Sequence, residues 1–278
     1  MSQRTLVESA QIAISTFRTF EDGPPNLIPT GLPPVDRAIG GLFPGSPGIL
    51  AATTGAGKSS LVLESLVNNA KMGLKVGLIS LEDTPDVLGS RVLARESGVD
   101  SLRIRRKDLS SADIKAIRAA MEKIEVYSNN IVIEYVIGGT VDAASEAMDR
   151  LATEGVQDVW IDYIQKMRGK GSDRRNEVGG AFSALQYKGA KHGMAVKFVS
   201  QFARQLDYSK PPQIWWLKES GDLENEARLI ILCHRPNGPT GPLLGKIAKC
   251  TFGGEGTEFG YVRDESGTLV EMIPKEEF

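Results

Sequence analysis

The sequence predicts an α/β protein with a mostly parallel central sheet and antiparallel strands at its C-terminal edge. Three observations carry this expectation. Short apolar runs alternate with helical patterns between residues 49 and 233, which is the signature of strands joined by crossover helices. A glycine-bearing loop at residues 53–57 joins one such run to one such helix. From residue 245 onward the pattern changes to strand and hairpin, with runs at 246–252, 258–263 and 269–273.

The loop is the most informative stretch. Ile49, Leu50, Ala51 and Ala52 lead into Thr53, Thr54, Gly55, Ala56, Gly57, Lys58, Ser59 and Ser60, and a helical pattern follows over 61–72. Strand, glycine-bearing loop and helix form the setting of a Walker A phosphate loop. Gly55 and Gly57 let backbone N–H groups face a phosphate chain, and the helix start adds unpaired N–H groups and the positive end of its dipole. In such a loop Lys58 can reach the β- and γ-phosphates of a nucleotide, and Ser59 can ligate Mg²⁺. The consensus spacing puts glycine at position 52, where this chain has Ala52.

Composition narrows the class. The 278 residues are 41% hydrophobic and 24% charged, enough for one or two globular domains with a sizeable core. No apolar run of about 18 residues predicts a membrane span, and the first residues lack an apolar signal core, so the expected location is cytoplasmic. Cys233 and Cys250 form neither a metal-binding pair nor a disulfide framework. A net charge of −2 restricts nucleic-acid binding to a local patch.

In chain order, Leu6, Ala10, Ala13, Phe17 and Phe20 share one face of a predicted helix over 4–20, and the Gly-Pro-Pro of 23–25 breaks it. Residues 1–29 are therefore read as a helix and linker, either folded back on the chain's own domain or serving as a subunit-docking arm. Residues 30–278 are read as the ATPase domain. A turn-rich stretch at 30–48 leads to the loop strand. Strands are expected at 75–81, 131–136, 156–162, 195–200 and 229–233, with helices at 84–96, 110–125, 141–154 and 177–192. Ser110 and Asp113 have capping-box spacing.

Hydrolysis needs more than a phosphate loop. It needs an acid near Mg²⁺ and a group that acts on water. Asp162 ends an apolar strand as a Walker B aspartate does. Glu82 ends the strand after the loop helix, and Gln201 ends another. In a parallel sheet these ends share the edge where ligands gather. Glu82 is positioned to polarise water, and Gln201 to sense the γ-phosphate.

These strand ends carry a resemblance. The stretches at 52–60, 79–83, 159–165, 199–201, 217–224, 234–235 and 247–250 resemble the RecA-fold motor domain of DnaB-type hexameric replicative helicases, including that of phage helicase–primases. The Ile-Asp-Tyr-Ile-Gln of 161–165 and the Leu-Lys-Glu-Ser-Gly of 217–221 are the more specific parts. The resemblance implies Glu82 as catalytic carboxylate, Gln201 as γ-phosphate sensor and Arg235 near the adenine. It further implies a ring, expected to be hexameric, that translocates on single-stranded DNA, with a primase or helicase loader as partner. Lys218, Glu219 and Gly221 would lie at the DNA backbone. With one helix and a linker upstream of residue 30, the chain reads as a motor domain alone.

One departure from the family matters more than the rest. Its Lys-x-Arg near residue 250 supplies an arginine finger to the neighbour's ATP, and here Lys249 is followed by Thr251 in the arginine's place. A trans finger is worth about 10³-fold or more in rate. Arg228, Arg263 and Lys249 are the candidate substitutes. Alternatives to a helicase are a RecA-, RadA- or KaiC-like ATPase that assembles without unwinding, and a nucleotide-gated DNA-binding assembly factor with vestigial hydrolysis. A cationic stretch with Lys170, Arg174 and Arg175, next to Gly169 and Gly171, is a second candidate contact to single-stranded DNA. Trp215 and Trp216 are read first as core and second as base-stacking groups.

Overall fold

The computed structural model describes residues 27–169, 173–203, 210–217, 221–238, 240–265 and 267–272. The predicted helix over 4–20, Lys170, Lys218 and Glu219 lie outside the described residues.

Apolar runs form a single sheet. Strands β1 (Pro47–Ala52), β2 (Val76–Ser80), β3 (Ile131–Tyr135), β4 (Asp158–Asp162), β5 (Ala195–Gln201) and β6 (Leu229–His234) run parallel. Strands β7 (Leu243–Cys250), β8 (Glu258–Arg263) and β9 (Leu269–Glu271) continue the sheet antiparallel, in the order β3-β2-β4-β5-β1-β6-β7-β8-β9. Every residue of β1, β2 and β6 is buried, as continuous apolar strands covered on both faces must be.

Alternation along each strand divides the core into two layers. Leu50, Leu78 and Ile231 pack with Leu61, Leu66 and Val67 of helix α2 (Lys58–Lys71), which follows the short α1 (Pro33–Ile39). Ile49, Ile79 and Ile230 pack with Met148 and Leu151 of helix α6 (Val141–Thr153) and with Phe182 and Leu185 of helix α7 (Arg174–His192). Between β2 and β3 come α3 (Pro85–Ser97), α4 (Ser101–Arg106) and α5 (Ser111–Ser128). The capping box expected at α5 is present: the Asp113 N–H donates to Ser110 Oγ at 3.2 Å and the Ser110 N–H to Asp113 Oδ2 at 2.7 Å.

Three features differ from the sequence expectation. Helix α4 has no apolar period, and it is started by Asp100, whose Oδ1 accepts from the N–H groups of Leu102 and Arg103 at 2.9 and 3.0 Å. Strand β4 begins at Asp158, which is fully buried beside Lys197 of β5, with Nζ 2.8 Å from Oδ2. The two tryptophans part ways: Trp216 is core, edge-to-face on Phe202, while Trp215 is 71% exposed.

The segment before α1 is tied to the back of α2. Ser65 Oγ and Lys197 Nζ both donate to the Thr30 carbonyl, and Asn69 Nδ2 donates to that of Pro29. Gly31 sits between them at φ 75°, where a Cβ would meet the Ser65 carbonyl oxygen at 2.3 Å. Only glycine fits there.

Candidate nucleotide site

Register brings the predicted groups together. Ala52 pairs with Gln201 and Ser80 pairs with Asp162, so the ends of β1, β2, β4 and β5 share one edge. The residues that follow these ends enclose a cavity of about 600 Å³ lined by the loop, Glu82, Asp162 and Gln201.

Ala52 is 1% exposed, so its methyl group packs into the core layer. Gly55 and Gly57 hold the loop at φ 77° and 109°, values that side chains resist. Helix α2 then begins at Lys58. Lys58 is buried, and its Nζ donates to the carbonyls of Ala52 at 3.2 Å and Thr53 at 2.8 Å. Burial lowers its pKa, while the Asp162 and Glu82 carboxylates oppose that shift.

Ser59 Oγ donates to Asp162 Oδ2 at 2.8 Å. Burial raises the Asp162 pKa, with the Ser59 hydrogen bond and the Lys58 charge pulling it down. Two oxygens at this separation match the edge of an octahedron with Mg–O distances of about 2.0–2.1 Å. Among the described residues there is no cluster of three or more His, Cys, Asp or Glu fit to hold a metal. A serine hydroxyl and a carboxylate are the hard oxygen donors that Mg²⁺ takes, with phosphate and water completing its shell.

Glu82 projects from the end of β2 with 54% of its side chain exposed, and Lys166 lies 3.8 Å away. Its neighbour Asp83 is engaged instead with Arg91. Gln201 is held from behind by Gln165, whose role the sequence reading missed. Gln165 Oε1 accepts from the Gln201 N–H at 3.2 Å, and its Nε2 donates to Ser200 Oγ at 2.8 Å. The available signal was the Ile-Asp-Tyr-Ile-Gln stretch that Gln165 ends.

Other expected residues are placed as follows. Arg235, expected near the adenine, is buried against the loop: Nε donates to the Ala56 carbonyl at 2.7 Å and Nη1 to that of Gly241. Arg228 is exposed at the opposite end of the sheet, where its N–H donates to the Pro47 carbonyl and its own carbonyl accepts from the Thr251 N–H. Lys249 Nζ donates to the carbonyls of Glu224 at 2.6 Å and Asn225 at 3.2 Å, in helix α8 (Gly221–Glu226). Arg263 lies beside the loop of its own chain, with Nη2 3.4 Å from Ser60 Oγ.

On the DNA side, Gly221 opens α8 and Arg175 is exposed on the first turn of α7. Arg174 is half-buried and donates to Glu177 and to the Gln165 carbonyl.

A phosphate loop at the end of a central parallel strand, flanked by a strand-end aspartate, glutamate and glutamine, defines a RecA-like P-loop protein. Residues 28–241 match the family described as the DnaB-like helicase C-terminal domain, and the chain belongs to that family. It is 29% identical over 243 residues to the replicative DNA helicase DnaB of Leifsonia xyli, covering 83% of this chain and 52% of that protein. It is 25% identical over 226 residues to a probable plasmid replicative DNA helicase of Chlamydia trachomatis, covering 80% of this chain and 50% of that one. The chain thus spans about half the length of the curated relatives it matches. Among solved structures, its fold is similar to the ATPase domain of G40P, with TM-score 0.84, 23% identity, 98% of this chain and all of that one covered. It is similar also to a DnaB-like replicative helicase described with its primase interactions, with TM-score 0.82, 23% identity, and 98% and 68% covered.

Proposed function

We propose that this chain is the motor of an ATP-dependent DNA helicase that translocates on single-stranded DNA as a ring, expected to be hexameric. The observation that supports it most is the convergence of Lys58, Ser59, Glu82, Asp162 and Gln201 on one cavity at one sheet edge.

The chain's own residues suit the chemistry of ATP hydrolysis. Loop N–H groups and the start of α2 take the phosphates. Lys58 exchanges its loop carbonyls for β- and γ-phosphate oxygens. Ser59 and Asp162 would hold Mg²⁺, which would neutralise charge on the phosphates. Glu82 orients a water toward the γ-phosphorus and accepts its proton as the bond to the bridging oxygen breaks. Gln201 contacts the γ-phosphate and loses that contact on release. Arg235 stiffens the loop from behind. A cation from a neighbouring subunit, with Lys249 and Arg228 as candidates, would complete the site.

For DNA, the cationic stretch with Lys170, Arg174 and Arg175 and the stretch with Lys218, Glu219 and Gly221 would line the ring's channel and follow phosphates without reading sequence. Residues 1–29 would dock on the adjacent subunit, and a primase or loader would bind the assembled ring. Among the described residues no helix is long and apolar enough to cross a membrane.

The test pairs a DNA-stimulated ATPase assay with unwinding of a forked duplex. Wild type is expected to do both. Lys58→Ala should bind ATP at least about 10-fold more weakly, since it removes a charge-assisted contact. Glu82→Gln should bind ATP normally and turn over about 10²- to 10⁴-fold more slowly. ATPase activity without unwinding would replace the helicase with an assembling ATPase. DNA binding with negligible hydrolysis would make the chain an assembly factor.

A further inference from the structure

Two arginines meet at the loop from the side away from Glu82. Arg263 ends β8, and the turn after it folds back so that Arg263 pairs with Leu269 of β9. Within this turn the Thr268 N–H donates to Asp264 Oδ1 at 2.9 Å, and Arg263 Nη1 donates to the Gly267 carbonyl at 2.6 Å. The guanidinium is thereby aimed at the loop, with Nη2 3.4 Å from Ser60 Oγ and 3.5 Å from where a Cβ on Gly57 would stand. Gly267, Thr268 and Leu269 form a wall of the same cavity as Lys58 and Ser59.

Arg235 Nη2 stands 3.5 Å from that same Gly57 position. It is buried and has no hydrogen-bond partner, although Nε and Nη1 are both satisfied. Burial, and next the charge of Arg263, disfavours its protonated form. Among the described residues no carboxylate forms an ion pair with either arginine. Two guanidinium groups facing one glycine without a counter-charge make a site that an anion completes.

We propose that Arg263 is a nucleotide ligand of its own subunit, gripping the α-phosphate of ADP and ATP, with Arg235 reinforcing the positive field behind the loop. This rests on the ATP-binding reading above. The position selects the phosphate: Lys58 serves the β- and γ-phosphates and Ser59 the metal, so the turn's remaining end, at Ser60, is left for the α-phosphate. Arg263, Gly267, Thr268 and Leu269 then form a wall that both ADP and ATP engage. A finger acting on the γ-phosphate of a neighbour would behave otherwise, because ADP lacks that group.

Calorimetric titration of the full chain with Mg-ADP tests this. Arg263→Ala is expected to weaken ADP and ATP alike by about 10-fold or more, the loss of one charge-assisted contact. Arg263→Lys should fall between, keeping the charge without the fork. Melting without nucleotide should be unchanged, which separates ligand binding from folding. Subunits of Arg263→Ala mixed with Glu82→Gln, at ATP levels where each alone is inactive, should recover no ATPase activity, because both lesions lie in the same subunit's site. Wild-type ADP affinity in Arg263→Ala, or recovery on mixing, overturns the proposal. If wild type binds neither ADP nor ATP, the nucleotide reading fails first; if Lys58→Ala weakens binding and Arg263→Ala does not, only this inference fails.

Discussion

Gln165 Oε1 accepts the backbone N–H of Gln201 at 3.2 Å, and the Gln165 carbonyl accepts Arg174. The turn after β4 thus braces the end of β5, and the brace continues to Arg174, the first residue of α7 and a member of the cationic stretch. Gln165 sits between Gln201, the candidate γ-phosphate sensor, and Arg174, a candidate DNA contact. Gln165→Ala leaves the Gln201 N–H and Ser200 Oγ without this partner, a cost of about 1–3 kcal/mol for each group that water does not reach. The expected result is an ATPase rate reduced about 10-fold and weakened DNA stimulation, with ATP affinity near wild type. Steady-state kinetics with and without single-stranded DNA read both. An unchanged rate and full stimulation would make the brace structural only.

Ser59 and Asp162 are joined at 2.8 Å, and both suit Mg²⁺. Ser59→Ala removes one ligand and the donor to Asp162. The Mg²⁺ concentration for half-maximal ATPase activity is expected to rise several-fold, and EDTA should abolish wild-type turnover. A magnesium titration identical to wild type would remove Ser59 from the metal site.

Arg228 is exposed where the parallel strands begin, next to Thr251 and opposite the phosphate loop. A group there reaches a nucleotide only across a subunit boundary. Arg228→Ala should keep ATP binding and assembly but lose about 10³-fold in turnover, the scale of a trans finger. Mixing it with Glu82→Gln subunits should restore activity at interfaces where an intact Glu82 meets an intact Arg228. Absence of restoration, with normal turnover in Arg228→Ala itself, would pass the role to Lys249.

The segment at 29–31 is held to α2 and β5 by four side chains from its own domain, Ser65, Asn68, Asn69 and Lys197. Deleting residues 1–22 spares these contacts, so the shortened chain should fold with an unchanged melting temperature. It should assemble poorly, because the stripe from Leu6 to Phe20 would otherwise bury itself on a neighbour. Particle mass by light scattering equal to the full chain's would reject the docking arm.

What the sequence made legible was mostly local or periodic. Short continuous apolar runs located the parallel strands, because burial on both faces makes the whole run apolar and its length is too short for a helix. The groups at their ends could be placed at one edge because parallel strands share it. Helix α4 escaped, since Leu102 is exposed and Ile104 only half-buried, leaving Asp100 as the only local cue. The placement of Arg263 was not legible at all. It depends on a hairpin folding back on a serine 203 residues earlier, a relation that no spacing rule encodes. Lys197 was hidden for a similar reason: within an apolar run it reads as an interruption, until the partner from β4 is seen.

That partner gives the last prediction. Lys197 is 2% exposed and donates to Asp158 Oδ2 at 2.8 Å, to the Thr30 carbonyl at 2.8 Å and to Ser65 Oγ at 3.3 Å, with the Trp160 ring 4.6 Å away. Burial lowers the Lys197 pKa and raises that of Asp158, and their contact opposes both shifts. Removing one partner strands the other in the core, a loss of about 3–5 kcal/mol, whereas removing both charges is often close to neutral. Lys197→Met should therefore lower the urea midpoint sharply, by the equivalent of about 3–5 kcal/mol. Adding Asp158→Asn to Lys197→Met should recover part of that loss, because the amide oxygen still accepts from Asn69 Nδ2, which now bonds Asp158 Oδ2 at 2.9 Å. The same cluster holds Thr30 to α2, so in the single variant a probe on the 29–31 segment should report opening below the global transition. A double variant no more stable than Lys197→Met would show that the lysine's hydrogen bonds to Thr30 and Ser65, and not its pairing with Asp158, carry the stability of this cluster.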